Sequence, residues 1–269
     1  MEKPLYLVKI GGSVITDTNR PQVAKRDEIV RLFREISSAR LEGKFNVIIG
    51  HGSGSFGHTV AKQYKVNEGM VDETSRRGAA LTKIAAMDLN RIVLEVGVGM
   101  GIPVFPFSAS SFSFAKERML QDGTVEGIRH ALEGGFVPVV HGDVVMDSKL
   151  GASIASTEEV FRFLSGRIRP AKIVLGTDVD GVFDKDPTKH KDAKLVHLVN
   201  GENYRTVLSS AAGAKKVDVT GGMRSKLELL YGVVHETGAT GYIMNAAAHG
   251  AMRKVLVGDP AAVCTVVTK

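Results

Sequence analysis

Six apolar runs of strand length, at residues 5–10, 45–49, 103–107, 136–140, 172–175 and 242–244, recur along the chain with longer segments between them. Several of those segments repeat apolar residues at helical spacing. Residues 26–41 align Ile29, Val30, Leu32, Phe33 and Ile36, residues 74–98 align Leu81, Ile84, Leu89 and Val93, and residues 222–237 form a third stretch closed by Gly238. Unbroken apolar strands separated by helices are what a parallel sheet covered on both faces requires. The expected fold class is α/β, a mostly parallel open sheet sandwiched by helices, in a single domain over residues 1–269. One continuous sheet is expected to carry two lobes, an N-terminal one to about residue 166 and a C-terminal one from about residue 170, with no linker, repeat or low-complexity tract between them.

At 43% hydrophobic residues over 269 positions, the chain can fill such a core. Lys and Arg number 35 against 29 Asp and Glu, a net charge of +6. The basic residues are interleaved with acids, as in Lys25-Arg26-Asp27-Glu28, and form no run of the kind that binds nucleic acid. A mild positive balance suits a protein that gathers phosphates. Cys264 is the sole cysteine, which excludes an internal disulfide or a multi-cysteine metal site and points to a reducing, cytoplasmic compartment. The apolar stretch ahead of Gly11-Gly12 is too short for a signal peptide or membrane span and reads as a first core strand.

Two glycine-rich turns follow strands in the N-terminal half: Lys9-Ile10-Gly11-Gly12-Ser13, and Gly50 to His58, which contains Gly52, Ser53, Gly54 and Ser55. Glycines let the backbone approach an anion, and amides at a helix head point at it with the helix dipole behind them. The second turn also matches Gly52-x-Gly54-x-x-Gly57, the dinucleotide fingerprint, with Asp72 at a suitable distance. The fingerprint needs that acid at the end of a second strand, whereas residues 66–77 are polar and lead into a helix, so the dinucleotide reading is rejected. In the C-terminal half, Gly176-Thr177-Asp178-Val179-Asp180-Gly181-Val182 runs from a strand end into an acidic loop, where open α/β sheets bind nucleotides. Gly221-Gly222-Met223 opens a helix with Lys226 one turn inside. Phosphoryl transfer between two anions needs positive charge at the moving group, and Lys9 and Lys226, one from each half, meet that need. There is no P-loop and no protein-kinase signature.

Taken together, KIGGSVITD at residues 9–17, HGSGSFGH at 51–58, PVVHGDVVMD at 138–147, LGTDVDGVFDKDP at 175–187 and DVTGGMRSK at 218–226 resemble the amino acid kinase superfamily, and within it the isopentenyl phosphate kinases. The resemblance spans nearly the whole chain. It implies ATP as phosphoryl donor, isopentenyl phosphate as acceptor, Mg²⁺ carried with the ATP and no direct protein metal ligand, and a homodimer. Carried onto matching positions, it implies that Lys9 and Lys226 hold the transferring phosphoryl and that Gly11, Gly12 and Ser13 line the triphosphate. It gives His51 the acceptor phosphate, with Gly52, Ser53, Gly54 and His58 around it, and Thr177, Asp178, Asp180, Gly181, Val182, Gly221, Gly222 and Met223 the nucleotide. His58 also reads as a brace for its loop.

The chain departs from the family at two places. Thr18 stands where a lysine is common, so a third cation is left to Arg20 or Lys25, and Glu158 in Ser156-Thr157-Glu158 stands where an aspartate organises the two lysines. Met87, Ile92 and Val96 on the long helix could wall a hydrocarbon pocket, though core packing explains such a stripe equally well. Rival readings are a kinase for another small phosphate or phosphonate such as fosfomycin, and a nucleotide-binding regulatory protein without turnover.

Overall fold

The computed structural model describes residues 3–70, 72–211 and 222–269. In chain order the strands are β1 (Leu5–Ile10), β2 (Asn46–His51), β3 (Val104–Phe107), β4 (Ser113–Lys116), β5 (Met119–Gly123), β6 (Val137–His141), β7 (Asp143–Asp147), β8 (Gly151–Ala155), β9 (Lys172–Thr177), β10 (Leu198–Val199), β11 (Thr240–Asn245) and β12 (Cys264–Val267). The helices are α1 (Gly12–Ile15), α2 (Arg26–Gly43), α3 (Gly54–Gln63), α4 (Glu73–Gly99), α5 (Glu126–Glu133), α6 (Thr157–Ile168), α7 (Tyr204–Ala211), α8 (Gly222–Thr237) and α9 (Ala251–Val257).

Eight strands form one sheet in the order β10-β12-β11-β9-β1-β2-β6-β3. All neighbours are parallel except β11 and β12. The central strands are buried nearly end to end because helices cover both faces. Successive side chains of a strand point to opposite faces, so β1 feeds two cores. Leu7 joins Phe161 and Leu164 of α6 and Leu227 and Leu230 of α8 on one face. Val8 and Ile10 join Ile29 and Phe33 of α2, Leu89 of α4 and Val255 of α9 on the other. The chain builds β2, β3 and β6 on one side of β1, then crosses to β9 on the other. Parallel pairing brings the carboxyl ends of β1, β2, β6 and β9 to the same edge, and β1 marks the crossover where such sheets bind ligands.

Each of the six expected strands is present with ends within two residues of those expected, and so are the three helices. The expectation of one continuous sheet needs a correction, because β5-β4-β7-β8 form a second sheet. Its β4–β5 hairpin turns on Glu117 and Arg118, both at positive φ (52° and 69°). Such tight turns are ordinarily announced by Asn-Gly, a signal that Glu-Arg does not give. Asp147 supplies the stabilisation instead. Its Oδ1 accepts from the amides of Glu117, Lys149 and Leu150, and its Oδ2 from that of Arg118 at 2.8 Å, tying two turns to one buried carboxylate.

Candidate functional site

Strand alternation sets the site. Lys9 lies two residues beyond Leu7, so its side chain enters the face covered by α6 and α8 and is 7% exposed. There the first turn of α6 presents Glu158 and the first turn of α8 presents Lys226. The Nζ of Lys9 lies 2.6 Å from Glu158 Oε1, and the Nζ of Lys226 lies 3.7 Å from the same oxygen. Burial alone would raise the Glu158 carboxyl, but the two lysine charges and the Lys9 hydrogen bond overcome it and hold the pKa down to about 2. Glu158 is therefore a fixed anion that gathers two cations from opposite halves of the chain.

The glycine turns meet beside this triad. A Cβ added at Gly12 would lie 2.6 Å from the amide nitrogen of Gly54, and one at Gly11 would lie 2.7 Å from the carbonyl oxygen of Gly176. The loops after β1 and β2 and the end of β9 are thus packed backbone to backbone, an approach open only to glycine. Ser13 sits half-buried in the first of these turns. At the head of α3, the amide of Ser55 is bonded to Thr16 Oγ1, and those of Phe56 and Gly57 to Ser53 O. Gly52 and Ser53 are partly exposed, and Gly54 adopts φ +48°.

His51 departs from the role expected of it. Its ring is 0% exposed; Nε2 lies 3.0 Å from Asn90 Oδ1 and Nδ1 lies 3.1 Å from Gly52 O. It stacks on His141 at 5.6 Å between centroids. Burial pushes its pKa down to about 4, with the His141 ring adding to the depression. A fully buried ring whose two nitrogens face Asn90 and the Gly52 carbonyl is turned into the protein and is poorly placed to meet an acceptor phosphate. An unfolded histidine titrates near 6.5, so between pH 6.5 and 4 the unfolded chain takes up a proton that folded His51 refuses. That contribution to stability is intact above pH 6.5 and is lost as pH falls toward 4, about 3 kcal/mol in all. Urea denaturation at pH 7.5, 6.0 and 4.5 should show His51→Gln losing less stability on acidification than the parent; parallel losses would refute it.

His58, by contrast, is partly exposed on α3, four residues beyond Gly54 and so on the same helix face. Helical side chains lean toward the amino end, the direction in which the glycine turn lies. Among residues the sequence did not single out, Asn90 is a buried polar side chain in the apolar stripe of α4. Thr157 Oγ1 donates to His51 O at 2.7 Å, and Asp143 is buried against Lys83 Nζ at 2.7 Å. An asparagine flanked by Leu89 and Val93 at core spacing was the signal available for the first of these.

In the C-terminal half, Asp178 is exposed and Asp180 Oδ1 accepts from Asn245 Nδ2 at 3.0 Å, both at the mouth of the acidic loop. Thr177, Gly181 and Val182, expected to border the nucleotide, are buried. The Thr177 hydroxyl lies 2.8 Å from Val179 O, a Cβ at Gly181 would lie 2.4 Å from Thr265 Oγ1, and Val182 belongs to the core while its amide donates to Thr265 Oγ1 at 2.8 Å. Their part is to shape the loop. Gly222 begins α8 at φ +66°, and Met223 packs on the core. Gly221 lies outside the described residues. Arg20 is exposed and paired with Asp17 at 2.7 Å. The Met87–Ile92–Val96 stripe does not wall one pocket. Val96 is core and Ile92 packs on it, whereas Met87 lines a cavity of about 560 Å³ with Asn90, Leu94, Phe107 and Phe112.

Two lysines on a shared carboxylate, flanked by interlocked glycine turns at the carboxyl edge of a parallel sheet, form a site built for polyanions. The chain belongs to the amino acid kinase family, whose model matches residues 4–245. Within that family it is 36% identical to the isopentenyl phosphate kinase of Methanothermobacter thermautotrophicus, over 95% of this chain and 96% of that protein. It is 30% identical to the isopentenyl phosphate kinase of Methanocaldococcus jannaschii, over 95% and 96%. A crystal structure of an isopentenyl phosphate kinase superposes with a TM-score of 0.83 at 32% identity, covering 98% of this chain and all of the other.

Proposed function

We propose that this protein transfers the γ-phosphoryl group of ATP to isopentenyl phosphate, giving isopentenyl diphosphate. The observation that carries the reading is the convergence of Lys9 and Lys226 on Glu158 beside the glycine turns, in a chain so similar to isopentenyl phosphate kinases. Facing phosphates repel each other, and the two ammonium groups neutralise that charge as the phosphoryl moves. Gly11, Gly12 and Ser13 hold the triphosphate, while the Gly52–Gly54 turn holds the acceptor. A phosphate monoester is already anionic at neutral pH, so its oxygen attacks in line without a general base, and Glu158, held ionised by its lysines, positions them rather than taking a proton. His58 takes the acceptor phosphate in place of His51. Asp178, Asp180, Gly221, Gly222 and Met223 border the nucleotide.

Among the described residues, no group of three His, Cys, Asp or Glu side chains could hold a metal ion. Mg²⁺ would be carried with the ATP, where it would offset the charge of the phosphates. No described helix is long and apolar enough to cross a membrane.

The homodimer is assigned to the open edge at β3, where Phe105 and Phe136 are 47% and 42% exposed and pack ring edge on ring face, with Ile84 and Met87 of α4 also exposed. Light scattering should give twice the chain mass, and Phe105→Asp with Phe136→Asp should halve it. A parent of single-chain mass would dismiss the dimer.

Incubation with Mg-ATP and isopentenyl phosphate should yield ADP and isopentenyl diphosphate, identified by mass spectrometry. ADP release with fosfomycin or another small phosphate, and none with isopentenyl phosphate, would reassign the acceptor. ATP binding without ADP release on any acceptor would leave a regulatory protein.

A further inference from the structure

We propose that Thr16 is a positioning residue that fixes the separation of the two phosphate-holding loops, an inference that rests on the phosphotransfer reading above. Thr16 follows the four-residue helix α1 and is 0% exposed. Its hydroxyl donates to Gly12 O at 2.7 Å, in the turn assigned to the donor phosphates. The same oxygen accepts from the amide of Ser55 at 3.0 Å, in the turn assigned to the acceptor. A hydroxyl has one proton to give, so these two bonds use the group in both senses and set its rotamer.

The two turns approach closely at this hydroxyl: a Cβ at Gly54 would lie 2.3 Å from Thr16 Oγ1 and 2.8 Å from Gly12 O. The backbone of Thr16 is pinned independently, by its amide bond to Gly12 O at 3.0 Å and by an antiparallel bridge to Ala24. The side chain is therefore not needed to hold its own segment in place. What it adds is a bond across to α3. The two loops carry the two reacting groups, and in-line transfer requires the attacking oxygen within about 3–3.5 Å of its target, a tolerance at which a 1 Å misplacement costs on the order of 10²-fold in rate. Removing the hydroxyl frees the head of α3 to shift relative to Gly12 and also leaves the Ser55 N–H unpaired inside the protein.

The test is Thr16→Val, which keeps the shape and removes the hydrogen bonds, set against Thr16→Ser, which keeps the oxygen and removes a methyl. Thr16→Val is expected to lower kcat about 10- to 100-fold while the KM for ATP stays within twofold and the thermal midpoint falls by several degrees, the cost of the unpaired Ser55 N–H. Thr16→Ser is expected to retain at least half of the parent kcat. Should Thr16→Val not fold, Thr16→Ala takes its place under the same criteria. A kcat within twofold of the parent for the hydroxyl-free variant, or equal losses in Thr16→Ser and Thr16→Val, would overturn the proposal. The parent is assayed first with isopentenyl phosphate and with a panel of small phosphates. Its failure on isopentenyl phosphate alone counts against the acceptor assignment, and the variants are then compared on whichever acceptor it uses. A parent that turns over none of them overturns both readings together.

Discussion

Replacing Lys9 by Met should destabilise the protein by about 3–5 kcal/mol, because it strips the nearest cation from a carboxylate that is 5% exposed and cannot recover its hydration. Lys226, at 3.7 Å, is left to compensate alone. The same substitution should cut kcat by about 10²–10³-fold, since one of the two charges that face the transferring phosphoryl is gone. These two losses have different origins and can be separated. Adding Glu158→Gln to Lys9→Met removes the uncompensated anion, so the double variant should regain most of the lost stability. It should regain none of the rate, because a glutamine restores no positive charge. Glu158→Gln alone should retain ATP binding while losing kcat, as both lysines keep their charge but lose the oxygen that fixes their positions. Urea denaturation and ADP release on the two single variants and the double complete the cycle. Rate recovered along with stability in the double variant would reduce Lys9 to a structural residue.

Much of this centre was legible in the sequence, because its signals are local. A lysine ending an apolar strand ahead of two glycines has few reasons to be there, and the run of unbroken strands dictated which edge of the sheet it would reach. The substitution of Glu158 for an aspartate could be noticed in the sequence, but only the fold shows its oxygen between both lysines. The second sheet left a weaker trace. Its β4–β5 turn is stabilised by a carboxylate about thirty residues away, and no local rule registers Asp147 as the reason Glu117 and Arg118 tolerate positive φ. In the loop after β9, glycine and acid content spoke for a ligand at every position, whereas Thr177 still turns inward at the strand end, Val182 is drawn into the core with its amide on Thr265 Oγ1, and Asp178 is left outside.

The two histidines that bracket the second glycine turn show the same limit, and they give the second large effect. Sequence ranks them by proximity to the glycines, which favours His51. Burial reverses the order: His51 ends β2 under α4 with Asn90 on its ring, and His58 stands partly exposed on the face of α3 that leads back to Gly54. His58→Ala should therefore lower kcat/KM for the acceptor by about 10²–10³-fold, the scale of removing one positioned donor, while the affinity for ATP remains within twofold. His51→Ala should do its damage differently. It leaves Asn90 without its partner in the interior and opens a void next to His141, so the first loss is stability, about 1–3 kcal/mol from the orphaned amide alone. What activity remains should show an ordinary KM for the acceptor. Steady-state kinetics in both substrates, run beside thermal denaturation, distinguishes the two patterns. A His58→Ala enzyme with unchanged acceptor kinetics, or a His51→Ala protein of parental stability that no longer binds the acceptor, would return the phosphate contact to His51 and require its ring to leave Asn90 when substrate arrives.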